Sequence, residues 1–350
     1  MQNPIPEAQS VIYWNRVVKM TTMQQSFSDI EFEGKKRKTR KELFLETMEQ
    51  LIPWDKFMAI IKPHYHTIGE KGGRPPYPLC KILRMYLVQL WFNMSDETAE
   101  DSVYENQVIR RFVGINLSDE TIPDATTLLR FRHLLEKHKL DEKIFDSVSE
   151  LLKQNGYMMS KGSIVDASII TASSSTKNQS HSRDPEMAQT KKGSNYYFGM
   201  KAHTGVDFED GFVHTVEYTA ANEHDITKAR VCVRDDDEFM HGDAGFVGVE
   251  KREEFKDMPD LSFQINQRRS NINKLPDCQD SDEIKYHEKE KSRIRAKVEL
   301  PFHIVKNVFG YKKTRYKGLR KNASRLNMLF ALANLYICRL KGITALPQTL

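Results

Sequence analysis

Three carboxylates stand where their neighbours give them little ordinary reason to be. Asp166 interrupts an apolar, β-branched run, SIVDASII at 163–170, and aspartate is depleted from strands. Strand alternation puts Ile164, Asp166 and Ser168 on one face. Asp243 falls in HGDAGFVG, at the carboxyl end of a short strand candidate and just before a glycine-containing turn, where α/β sheets present ligand-binding groups. Glu299 is the lone acid of residues 293–322, a run otherwise studded with lysine and arginine. On a helix, Arg295, Glu299 and Lys306, separated by four and seven residues, share a face. Pro301 means that this helix either kinks there or begins close to Glu299.

Each acid alone has a plainer explanation: a solvent-facing edge-strand aspartate, a Gly-Asp turn, an i,i+4 Arg–Glu pair of little energetic weight. Together they form a hard oxygen set of the type that holds Mg²⁺ or Mn²⁺, and a divalent cation relieves the repulsion among them. Beside a basic surface, such a set suits phosphodiester chemistry. Two cations activate the attacking oxygen and stabilise the leaving one, while lysine and arginine hold the phosphates.

The elements that must position these groups follow from periodicity. Residues 41–158 are helical in pattern, with apolar residues recurring at three and four and prolines between segments. Ser95 and Asp124 read as N-caps. In the helix after Asp124, Leu128, Phe131, Leu134 and Leu135 form the apolar stripe, leaving Arg130, Arg132, His133 and Lys137 on the surface, either as a groove-reading face or a merely solvated one. At residue 161 the period becomes that of a strand. A long polar loop is expected over 171–195, then a hairpin of 196–207 and 212–220 turned by Glu209-Asp210-Gly211. Helices are expected at 222–233, capped by Asn222, and at 249–256, with a short strand at 238–243 between them. Residues 271–291 are highly charged and aperiodic, an excursion from the core, and helix resumes near Arg293. The expectation is α/β: a mixed sheet flanked by helices, preceded by a helical domain.

Composition narrows the class. The net charge is +5, with the positive residues bunched at 35–41 and 306–325, which points to a polyanionic partner. Four cysteines without a C-x-x-C pair suggest neither zinc nor disulfides and fit a reducing, cytoplasmic setting. The first residues lack an export signal, and the longest apolar run, 328–340, is too short to span a bilayer and reads as a buried helix. Met23 is a plausible alternative start.

The stretches IVDAS, GDAGFVG, RAKVELPFHIVK and FGYKKTRYKGLRKN resemble the DDE transposases of bacterial insertion sequences, most closely the insertion-sequence-five group. The likeness covers roughly residues 27–336 and includes KRKTRKELFLETMEQLIPW, GRPPYPL, SDETAEDSVYE, SSTKN, RDPEMAQTKKG, FGMKAH and AANEHD in family order. It implies an RNase H-like catalytic domain with Asp166, Asp243 and Glu299 as the catalytic, metal-holding triad, and Mg²⁺ or Mn²⁺ as cofactor, two ions in all. In the family's third motif, Y-(2)-R-(3)-E-(6)-K, Arg295, Glu299 and Lys306 match, but position 292 is serine and Tyr286 lies too far upstream to replace the tyrosine.

The resemblance further implies binding to terminal inverted repeats in double-stranded DNA, strand cleavage by water and attack of the freed 3′-hydroxyls on target DNA, with at least two copies pairing the ends near the nucleoid. Lys306 and Arg295 would hold phosphates at the scissile bond, with Lys312, Lys313, Arg315, Lys317, Arg320 and Lys321 along the backbone, and Arg130 and Arg132 in the repeat-reading domain. Lys201 and His203 would lie on the strand beside Asp166 and face the site, His203 being equally readable as a structural histidine; His224 and Asp225 also read as the plain start of a helix. The organisation expected is a flexible basic arm at 1–40, a helical DNA-binding domain at 41–160, a catalytic domain at 161–340 carrying the 271–291 insertion, and a tail at 341–350. A DNA-binding relic without activity and a metal-dependent nuclease without strand transfer stay open as alternatives.

Overall fold

The computed structural model describes residues 34–65, 75–159, 161–179, 181–276 and 279–347. Most of the basic arm and Met23 lie outside the described residues. The chain divides into two units, 1–44 and 45–350, and every element that builds the site belongs to the second.

Helices occupy the first part of the chain: α1 (Arg40–Leu51), α2 (Trp54–Ile61), α3 (Leu79–Trp91), α4 (Asp96–Glu105), α5 (Gln107–Val113), α6 (Ala125–Lys137) and α7 (Leu140–Gln154). Their starts obey local chemistry. Ser95 accepts from the Thr98 amide at 3.0 Å, Asn106 from Ile109 at 3.2 Å and Asp124 from Thr127 at 2.6 Å, each satisfying a first-turn N–H. Gly114, at φ +78°, ends α5 in the left-handed conformation that glycine adopts without a Cβ penalty.

Among the described residues six strands follow: β1 (Gly162–Thr171), β2 (Ala188–Lys192), β3 (Asn195–Asp207), β4 (Val213–Ala220), β5 (Phe239–Gly242) and β6 (Ser262–Ile265). They form one sheet ordered β2-β3-β1-β5-β6, with β4 also paired to β3. The β1–β3, β2–β3 and β3–β4 pairs are antiparallel, and β1–β5 and β5–β6 are parallel. Val165, Cys232, Val233, Met240, Phe246, Val249 and Phe255 form an apolar cluster on one side of the sheet. The other side carries a helical run: α8 (Arg269–Ile272), α9 (Gln279–Arg295), a 3-10 turn (Ala296–Val298) packed on β1 and β3, α10 (Glu299–His303), a π-turn (Ile304–Val308) and the buried α11 (Leu319–Leu340). Asn334 of α11 caps both the N–H and the C=O of Val213, at 2.9 and 2.8 Å. The result is α/β, a mixed sheet flanked by helices in the RNase H-like arrangement, with a helical region before it. No helix among the described residues is long and apolar enough to cross a membrane.

Several local expectations need correction. The polar stretch after β1 contains β2, an edge strand exposed enough to tolerate AQTKK. The helices expected at 222–233 and 249–256 are pairs of 3-10 turns, Asp225–Lys228 with Arg230–Cys232 and Val249–Lys251 with Glu253–Phe255. The first is capped by His224, not Asn222. The strand β6 follows these turns unanticipated. Residues 279–291, expected to be irregular, are helical in α9. Its side chains pair at helical spacing: Asp282–Lys285 at 3.3 Å, Glu283–His287 at 3.8 Å, Glu288–Lys291 at 3.1 Å and Glu290–Arg293 at 3.5 Å. Such pairs sustain a helix that has no apolar stripe.

Candidate active site

β1 and β5 run parallel in the register Gly162↔Phe239, Ser163↔Met240 and Ile164↔His241. Carried two residues on, to Asp166 in β1 and to the residue just after β5, the same register sets Asp166 abreast of Asp243, on the face that Ile164 and His241 share. Asp166 is half-buried, its Oδ1 accepting from the Ala167 amide at 2.8 Å. Burial, and then the charge of Asp243, push its carboxyl up to about 6, against the pull of that amide and of Arg295 and Lys192. Asp243 leaves the end of β5 and caps the next 3-10 turn, its Oδ1 accepting from Gly245 at 2.8 Å.

Pro301 sits inside α10 after the preceding 3-10 turn, so the helical run changes type at Glu299, as a proline two residues on requires. Arg295 joins the acids: its Nη1 lies 3.8 Å from Asp166 Oδ2 and its Nη2 3.5 Å from Glu299 Oε1. Glu299 is 64% exposed. Among the described residues no three His, Cys, Asp or Glu side chains stand close enough together to hold a metal ion. The aspartate pair nevertheless fits one, being two hard oxygen donors side by side with a charge repulsion that a cation would relieve.

The π-turn sets Lys306 over β1, where its Nζ donates to Ser168 Oγ and to the Ile169 carbonyl, both at 2.7 Å. Burial, followed by the charge of Lys192, lowers its ammonium to about 8, while Asp166 opposes the shift. Lys192, at the end of β2, therefore acts on both Asp166 and Lys306. It lies in the segment expected to be a loop; the Lys-Lys-Gly ahead of an aromatic strand was the available turn signal.

Lys201 and His203 do not face the carboxylates. Asp166 pairs with Thr204, and Lys201 and His203 alternate with it on the opposite face of β3. There Lys201 meets Asp225 at 2.8 Å and the Glu223 carbonyl at 2.6 Å, and His203 Nε2 bonds Thr219 Oγ1 at 2.8 Å. Arg132 is likewise not a surface residue: it is 5% exposed, paired with Asp96 at 2.7 Å and stacked over Tyr316 at 4.4 Å. Arg130 is exposed.

Of the basic run, residues 312–314 pair with the end of β1, Thr171 donating to the Lys312 carbonyl and bridging to Lys313. Arg315 is taken up by Asn93, and Arg320 donates to the Glu136 carbonyl at 3.1 Å. Lys312, Lys313, Lys317 and Lys321 are exposed. Ser292, in place of the family tyrosine, bonds inward to the Glu288 carbonyl at 2.9 Å, and Tyr286 is exposed on α9.

A family model described as Transposase DDE domain matches residues 158–335, and one described as Transposase domain (DUF772) matches residues 32–134. No solved structure matches the chain. The DDE model alone spans just over half of the 350 residues and takes in the whole sheet, the aspartate pair and Lys306, and so the chain belongs to the DDE transposase family.

Proposed function

We propose that this transposase binds the terminal inverted repeats of its own element, cuts DNA strands there and joins the freed 3′ ends to target DNA, with Asp166, Asp243 and Glu299 as the acidic triad. The observation that carries this reading is the parallel register of β1 and β5, which brings Asp166 of β1 abreast of Asp243 just past the end of β5, with Lys306 fixed over β1. Asp166, Asp243 and Glu299 would hold the divalent cations, Mg²⁺ or Mn²⁺, two in number. Bound there, the cations supply Lewis acidity at the scissile phosphate. Lys306 is already fixed against β1 and would hold a non-bridging phosphate oxygen as a point charge. Arg295, released from Glu299, would present its guanidinium fork to the neighbouring phosphate. Lys312, Lys313, Lys317 and Lys321 would follow the backbone beyond the end of β1, giving affinity without sequence preference.

Within this reading, residues 41–160 form the repeat-reading domain, with Arg130 of α6 on its DNA-facing surface, and residues 161–340 the catalytic domain. Two ends must be joined, so at least two copies work together. The test supplies a DNA carrying the element's own ends, a target plasmid and Mg²⁺. Joined end-to-target products are expected. Cleaved ends that never join would point to a nuclease, and end binding without cleavage in either Mg²⁺ or Mn²⁺ to an inactive relic.

A further inference from the structure

The hairpin of β2 and β3 carries groups that the triad does not use. Residues 191–196 are all exposed, so the hairpin end projects into solvent. Its direction is fixed by register. Thr204, Ala202, Met200, Phe198 and Tyr196 alternate on the same face as Asp166, and the β2 partners of Phe198 and Tyr196 are Gln189 and Lys191. The Asp166 face therefore continues outward as a surface bearing Gln189, Lys191, Phe198 and Tyr196. Tyr196 is 65% exposed, with the Lys191 ammonium 5.6 Å from its ring centre, and Arg183 lies 5.3 Å over Phe198. A cleft of about 250 Å³ runs along this end of the sheet, lined in part by Arg183, Gln189, Tyr196, Tyr197 and Phe198.

Exposed aromatic faces interleaved with cations and a carboxamide are the groups that hold unpaired nucleic acid: rings stack on bases, cations meet phosphates and amides bond base edges. A paired duplex offers its phosphates but keeps its base faces covered, so it would leave Tyr196 and the cleft unused. From the shared sheet face, the exposed Tyr196 and the adjoining cleft that Arg183 lines, we infer that the β2–β3 hairpin is a platform for an unpaired stretch of the DNA strand next to the scissile phosphate. The inference rests on the reading of the protein as a DNA-cutting transposase and adds a second contact surface to it. Its position suits the task, since its rings stand on the sheet face that carries Asp166.

The test is fluorescence anisotropy with the full chain on two DNAs of the same arbitrary sequence, one fully paired and one with an end left unpaired. The wild type is expected to bind the unpaired-end DNA at least about fivefold more tightly, from the stacking of even one base. Tyr196→Ala should remove that preference and Tyr196→Phe should keep it, because stacking does not need the hydroxyl. Lys191→Ala combined with Arg183→Ala should lower the salt dependence by about 0.7 for each lost strand contact. Tyr196 is exposed, so its replacement leaves the fold intact, which circular dichroism checks. Equal affinity of the wild type for both DNAs, or a preference that survives Tyr196→Ala, overturns the platform while leaving the transposase reading standing. Failure of the folded wild type to bind either DNA removes the transposase reading and the platform with it.

Discussion

Asp166 and Arg132 mark the two ends of what single residues disclose. A carboxylate in the middle of an apolar strand is conspicuous in any sequence, and its partner Asp243 stands at a strand end where ligands gather. Arg132 has no such mark, because its partners, Asp96 and Tyr316, come from elsewhere in the chain. Arg132→Met should therefore destabilise the protein by roughly 3 kcal/mol, leaving Asp96 without its cation, whereas Arg130→Ala should leave stability unchanged and weaken DNA binding; urea melts and anisotropy separate the two. His203 gives a pH signature. Burial lowers its imidazole to about 4, against the pull of Asp225. Its folded value thus lies below that of the unfolded chain, so the unfolded state takes up the extra proton, and stability is lost as pH falls from about 6.5 towards 4. By pH 5 the loss should reach about 2 kcal/mol. Melting temperatures at pH 7 and pH 5 should diverge less for His203→Gln than for the wild type.

At the scale of elements, strands with alternating or apolar character and helices with caps were legible: β1, β3, β4, β5, α4 and α6 lie where periodicity and capping put them. What escaped was order without an apolar signal. β2 is held by its ladder to β3, and α9 by charge pairs one turn apart. The 3-10 turns replaced expected helices because the chain there must cover the sheet closely. Gly205 shows how closely: a Cβ at that position would fall inside contact distance of the Cys232 carbonyl, in the turn that packs on β3. Gly205→Ala should cost about 3 kcal/mol, since backbone on both sides must shift, and the denaturation midpoint reads this directly. The passage from 3-10 turn to α10 to π-turn sets Glu299 and Lys306 to different tasks. On a regular helix both would face one way; here Lys306 reaches β1 and Glu299 meets Arg295. Only the Pro301 break was legible beforehand.

For the molecule as a whole, charge distribution and the order of helical then sheet-forming segments were enough to anticipate a polyanionic partner and an α/β catalytic part. The wiring between them was not, since it depends on contacts between residues far apart in sequence. Asn93, after α3, receives Arg315 and Arg325, and Tyr316 lies between Arg132 and Arg325. This joins the helical region to the segment that pairs with the end of β1 through one polar junction. Asn93→Ala should loosen that junction and reduce cleavage more than DNA binding, seen by measuring both on one preparation. The most direct test of the triad is Mg²⁺-dependent nicking at the element's ends by the wild type, Asp166→Asn, Asp243→Asn and Glu299→Gln, with end binding measured alongside. Each substitution should lower nicking by roughly a thousandfold or more with binding retained; nicking that persists at the wild-type rate in any one of them would contradict the assignment of that acid and the site built on it.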